Sequence, residues 1–329
     1  MQNDLNDILL VVRKSSNALE FVDTGSGSRI GAVDVGVAPH EVSLSPDGRR
    51  AAVSNYGPAD RPGTTIRLID VERAELTATI DISPNVRPHG LTWISQSRIA
   101  ATSEGAHNVL IVNTDERSVE TAITTGQEHS HMIVVDNSGT RGFVANITSG
   151  TVTAIDLGTA RKIADIATGK GSEGLTLTRD SREIWVCVRA EDRIVVVDSH
   201  SLEIVSSIPT PKMPIRVAMS PAGETAYVTC AAAGMVIAID VAARKVTANH
   251  KVDLRLAPGA ESRQFAHLGP GSPLPIGLAV SPGAGTIYFA ATMSDCVQAL
   301  HPSTLDVMRT IGVGGEPDGI AVSATGHRN

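Results

Sequence analysis

Three histidines and a glutamate recur in a single register of this sequence. His89, His131 and Glu173 stand 42 residues apart, and His40 precedes His89 by 49. Imidazole nitrogens and a carboxylate oxygen are donors that borderline divalent ions accept. Four such groups aimed at one point predict a site for one ion, with Zn, Mn, Fe, Ni and Cu not distinguished by the donors. The register continues through Ile215, Ile276 and Asp318. The two isoleucines predict an apolar wall for the hydrocarbon part of a substrate, and Asp318 completes the set. A second group lies at or just beyond the next strand end in the same repeats: Arg13, Tyr56, Glu104, His107, Asn146 and Arg189. Arg13 and Arg189 carry guanidinium forks that suit a carboxylate or phosphate. Tyr56 and Asn146 are assigned with them to substrate binding, and Glu104 and His107 to proton transfer beside a metal-bound oxygen.

What positions these residues is a repeat. Apolar segments ending in Asp or Asn recur at Phe21-Val22-Asp23, Leu68-Ile69-Asp70, Ile111-Val112-Asn113, Ala154-Ile155-Asp156, Val196-Val197-Asp198 and Ala238-Ile239-Asp240, at intervals of 47, 43, 43, 42 and 42. Within one copy, four short strands are legible: Leu175 and Leu177 alternating with threonines, Ile184–Val188, Ile194–Val197, and a strand beginning at Ile204-Val205. Turns such as Ser45-Pro46-Asp47-Gly48 separate the first two strands of a copy. A period near 42 with four strands per copy predicts an all-β, seven-bladed propeller with four antiparallel strands per blade. Ile320–Ser323 is a first strand without a successor, and Leu9–Val12 a second strand without a predecessor. Pairing the two closes the first blade from both chain ends and removes an open edge.

Two intervals exceed 42, by 7 and by 19 residues, which marks insertions near 57–63 and around 251–271. Both fall on the face that carries the histidines. The longer one holds Arg255, Arg263, Gln264 and His267 and predicts a lid over the channel mouth. Residues 1–329 are accordingly expected to form a single propeller domain with this lid-like loop.

Tyr227-Val228-Thr229-Cys230, Phe143-Val144-Ala145-Asn146 and Ala52-Val53-Ser54-Asn55, with the Ser-Pro-Asp-Gly turn at 45–48, resemble the signature of the YVTN-repeat seven-bladed propellers across essentially the whole chain. At superfamily level the sequence is similar to lactonase-type propellers and virginiamycin B lyase, which use divalent metals. The resemblance implies the fold, and a lactone hydrolysis or C–O lyase step as reaction class. A fold of this kind hosts unrelated functions, so two alternatives stand beside the metal-dependent enzyme: a non-catalytic ligand- or protein-binding propeller, and a His-rich iron or copper redox or oxygenase centre.

Composition removes other classes. With 28 Lys and Arg against 35 Asp and Glu, the formal net charge of −7 argues against nucleic acid or an anionic membrane as partner. Two Trp, three Tyr and four Phe are too few for a base-stacking platform. Three cysteines exclude a disulfide framework, with Cys187 and Cys230 expected to be packed and Cys296 exposed. The expected partner is a small molecule, with no oligomeric state implied. The expected compartment is the cytoplasm, or the periplasm if a leader is removed.

Overall fold

The computed structural model describes residues 7–283 and 285–324. They form seven four-stranded antiparallel sheets around a central axis, with helical structure limited to short 3₁₀ turns. Each sheet is one blade, its strands ordered A to D from the axis outwards. Blade one is assembled from both chain ends: Pro317–Ser323 pairs antiparallel with Ile8–Arg13, as the orphan strands require. The other strands A are Pro39–Leu44, Pro88–Trp93, Ser130–Val135, Ser172–Leu177, Pro214–Met219 and Pro275–Val280 in blades two to seven.

Strands B and C supply most of the core. They are runs of β-branched residues buried on both faces, because each blade packs against two neighbours. An apolar cluster fills each junction. Phe143, Val152 and Ile166 of blade four, for example, meet Leu175, Val186 and Val195 of blade five. An eighth cluster lies under the longer insertion, where Ile215, Leu274, Ile276 and Met293 pack with Ala260, Phe265 and Leu268. Strand D is the outer edge and reads polar, with only scattered exposed apolar residues such as Ile204 and Val246.

Two features of strand A decide where its second residue points. In every blade the pairing of A with B shifts register at that residue, as between Pro39↔Asn55 and Val42↔Val53 in blade two, so A carries one extra residue there. Such a bulge bends the strand and re-aims a side chain. The residue before each strand A is in the left-handed region: Ala38, Arg87, His129, Gly171, Met213, Leu274 and Glu316. Only one is glycine, so the D–A turn is imposed on side chains that disfavour it. The residues read from the sequence as preceding strand A therefore lie inside it, at the bulge.

Candidate functional site

The seven bulge residues, His40, His89, His131, Glu173, Ile215, Ile276 and Asp318, are all buried and all line one cavity of about 220 Å³ at the channel mouth. Tyr56, Glu104, His129, Ile147, Arg189 and Arg216 complete its wall from the B–C and D–A loops and strand A of blade six. Gln264, Phe265, His267 and Leu268 of the longer insertion border it as well.

Glu104 is the hub of the polar contacts. It sits in the 3₁₀ turn Glu104–Ala106 after strand B of blade three and is buried. Its Oε1 accepts a short hydrogen bond from His131 Nδ1. Its Oε2 accepts one from the Tyr56 hydroxyl at 2.6 Å and lies 3.1 Å from His129 Nε2. Burial disfavours the Glu104 charge, but His131 and His129 hold its carboxyl well below the ordinary carboxylate range. Burial, then the neighbouring Glu104 charge, push the Tyr56 hydroxyl upward, so it stays a donor.

His131 lies between two carboxylates, with Nε2 3.6 Å from Glu173 Oε1. Burial opposes its charge, yet Glu104 and then Glu173 hold its proton up to about 9. Glu173 in turn receives Arg189 Nη1 at 2.5 Å and Arg216 Nη1 at 3.5 Å. Against the cost of burial, His131 and Arg189 keep its carboxyl down at about 2.

The other two imidazoles are neutral. His89 stacks on His131 with ring centroids 3.7 Å apart, and burial followed by the His131 charge drives its basicity well down. Its Nδ1 is buried without a hydrogen-bond partner. His40, with its ring 5.0 Å from that of His89, has Nδ1 3.1 Å from Asp318 Oδ2. Burial and Lys14 lower His40, while His40 and Lys14 hold Asp318 down against its own burial.

Among the described residues, His89, Glu104 and His131 offer ligand atoms that all lie within 4.8 Å of one another. Of the quartet inferred from the register, His89 and His131 belong to this group. His40 is turned to Asp318 and Glu173 to the two arginines. Glu104 takes a ligand's place because its buried 3₁₀ turn leans over strand A of blade four, a contact that spacing within one strand position does not reveal.

Three residues assigned to the site stand outside the cavity lining. Arg13 is folded back on the buried Glu20, with Nη1 2.7 Å from Oε2, so it forms no clamp with Arg189. The Asn146 amide is spent inside blade four on Ser130, Thr151 and Thr153. His107 is exposed at the left-handed position that ends the B–C turn, the slot filled by Asn17 and Asp295 in blades one and seven. Asn, Asp and His tolerate that conformation best, so a turn requirement accounts for its presence. Cys296, expected to be exposed, is buried as the first residue of strand C in blade seven.

Arg216 and Glu41 were not among the sequence candidates. The residue following each bulge position is Glu41, Gly90, Met132, Gly174, Arg216, Gly277 or Gly319. The glycines are needed: an added Cβ at Gly277 would fall 1.9 Å from the carbonyl oxygen of Asp318 in the next blade. Glu41 and Arg216 are the only charged residues of the seven, which is the signal that could have marked them.

Lys14, at the B–C turn of blade one, is 8% exposed, and its Nζ has no hydrogen-bond partner. Its contact is the face of Phe265 at 3.7 Å from the ring centroid. A cation–π contact contributes about 0.5–2 kcal/mol, whereas burying an ion costs several kcal/mol. Burial accordingly lowers the ammonium's basicity, against the pull of Asp318, Glu316 and Glu104.

Among the described residues no helix is long and apolar enough to cross a membrane. A model of the YNCE-like beta-propeller family matches residues 158–259. The uncharacterized protein YncE of Salmonella typhimurium is 23% identical over 170 residues, and that of Salmonella typhi equally so. The match takes in 50% of this chain and 48% of each relative, so the chain spans about half the length of the curated relatives it matches. Among solved structures, a functionally unknown protein from Desulfotomaculum acetoxidans superposes with a TM-score of 0.77 at 14% identity, covering 96% of this chain and 98% of that one. Kuenenia stuttgartiensis hydrazine synthase gives 0.73 at 17%, over 88% and 90%. The dihydro-heme d1 dehydrogenase NirN gives 0.69 at 11%, over 99% and 77%. At these identities the likeness concerns the fold alone. The seven closed blades make this chain a seven-bladed β-propeller, and its YVTN-like strands B and the YNCE-like match over residues 158–259 are consistent with a YVTN-type propeller family.

Proposed function

We propose that the cavity is a metal-dependent catalytic site for a small, partly apolar organic molecule, with His89, His131 and Glu104 holding one divalent ion. One observation carries the reading. His89 is buried with Nδ1 unpartnered, and it offers a ligand nitrogen within 4.8 Å of donors on two other buried residues. A buried polar atom without a partner is rare in a native protein and calls for an occupant. Two nitrogens and one carboxylate oxygen suit Zn, Mn, Fe, Ni or Cu and leave coordination positions open.

When bound, such an ion supplies Lewis acidity toward a carbonyl or a developing enolate. The chain's own groups do the rest. Tyr56 fixes the Glu104 carboxylate by donating to Oε2. Asp318 holds His40 through Nδ1, which leaves the neutral imidazole's Nε2 as a proton acceptor at the cavity wall. Ile215, Ile276 and Phe265 exclude water on the opposite side. A neutral base beside a Lewis acid and an apolar wall favours a lyase or lactonase-type hydrolase step, the class that the sequence resemblance implies.

A second reading, a metal-free binding propeller, draws on the direct Glu104–His131 hydrogen bond, in which a proton stands where an ion would join the two. Elemental analysis of protein purified without a His tag and equilibrated with each of the five ions separates them. One ion per chain in the wild type, lost in His89→Ala with an unchanged circular dichroism spectrum, is expected. No stoichiometric uptake of any of the five would replace the enzyme by the binding propeller.

A further inference from the structure

Arg87, which lies over the Tyr56 ring, donates to the carbonyl oxygens of Pro58 and Ala59, and the cations deeper at the mouth hold carboxylates, except one. Arg189 holds Glu173, Arg216 holds Glu41 and Glu173, His131 holds Glu104, and Arg263 of the insertion holds Asp295 bidentately at 2.9 and 2.8 Å. Lys14 has none: its Nζ is buried, unbonded, and covered by the Phe265 ring. Of the acids whose charge acts on it, Glu104 is bonded to His131 and Glu316 lies 3.8 Å from Arg263, while Asp318 stands beside the neutral His40 and makes no hydrogen bond to Nζ. Phe265 in turn lines the cavity, with its ring centroid 6.2 Å from that of His40. The ammonium is thus separated from the cavity by a single side chain of the insertion.

We propose that Lys14 is the carboxylate-binding cation of this site, so that the molecules it accepts are small organic acids with an apolar body. A carboxylate arriving past Phe265 replaces the ring face over Nζ and gives the buried ammonium a charge-assisted hydrogen bond, the partner the fold withholds. The apolar body then rests against Ile215, Ile276 and Leu268, which line the same cavity. The far end of the molecule reaches His89 and Glu104 of blade three. This inference deepens the functional reading above and rests on it only in taking the cavity as a small-molecule site; it does not require the ion.

Hexanoate and hexanamide are matched in size and differ in charge, and isothermal titration calorimetry of each against the wild type is the first arm. Hexanoate is expected to bind at least tenfold more tightly than hexanamide. Lys14→Gln should lose that preference, and Lys14→Arg should retain it. Equal affinity of the wild type for both probes, or no binding of either, overturns the proposal without recourse to any variant that might misfold. A folded Lys14→Gln that still prefers hexanoate tenfold overturns it too. Metal content, measured on the same samples, reports on the catalytic reading independently: an ion without hexanoate binding sinks this proposal alone, and hexanoate binding without an ion sinks the metal alone.

Discussion

Arg216 Nη2 of blade six lies 2.5 Å from Glu41 Oε1 of blade two, so one ion pair joins strands on opposite sides of the propeller axis. Both side chains are about one-tenth exposed. The residues that follow the bulge in four of the other five blades are glycines. Arg216 also reaches Glu173, and so ties the axis to the His131 pairing. Burial raises Glu41 against the pull of Arg216, whereas Glu41 and Glu173 hold Arg216 charged despite its burial.

Removing one partner of such a pair strands a buried charge. Arg216→Met is expected to cost about 3–5 kcal/mol in urea unfolding, because Glu41 then lacks a cation. The Arg216→Met/Glu41→Met double variant should recover a large part of that loss. A double variant no more stable than the single would show that the pair is not the source of the cost.

His131 and Glu173 set opposite limits on pH. The folded His131 retains its proton up to about 9, against an ordinary 6.5. Its contribution to stability is complete below pH 6.5 and is lost as pH rises through 9. Glu173 sits at about 2 instead of 4.5, so its contribution is complete above 4.5 and lost on acidification. His40 and His89 are lowered, so protonation in the unfolded chain opposes folding below 6.5. The melting temperature of the metal-free protein is therefore expected to peak near pH 6.5 and to fall toward pH 9. His131→Gln should flatten the alkaline limb; an unchanged limb would assign it to another group.

His107 is expected to behave as a turn residue. His107→Asn keeps a side chain suited to φ near 55° and should alter neither stability nor metal uptake. His107→Val places a β-branched residue there and should cost about 1–3 kcal/mol. Loss of turnover in a stable His107→Asn variant would return it to the catalytic machinery.

Blade one depends on its last strand. Deleting residues from 317 onward removes the strand paired with Ile8–Arg13, exposes that edge and takes away Asp318. Aggregation and a lower melting temperature are expected by light scattering and calorimetry. A monomeric product with an unaltered transition would contradict the closure.

The sequence by itself determined the blade count, the closure of blade one and the ring of His40, His89, His131, Glu173, Ile215, Ile276 and Asp318. These follow from a period: equal spacing along a repeating chain places residues at equivalent points around an axis, whatever the local packing. It did not determine which members of that ring face one another. The tertiary structure decided that Glu104, from a loop register, joins His89 and His131, while His40 turns to Asp318. It also decided that Arg13 and Asn146 are engaged within their own blades, and that Phe265 lies over Lys14. The physical reason is that these contacts run between blades and across the axis. The bulge in each strand A aims the side chains inward, but burial and charge pairing in a shared cavity choose the partners, and neither is a property of a single repeat.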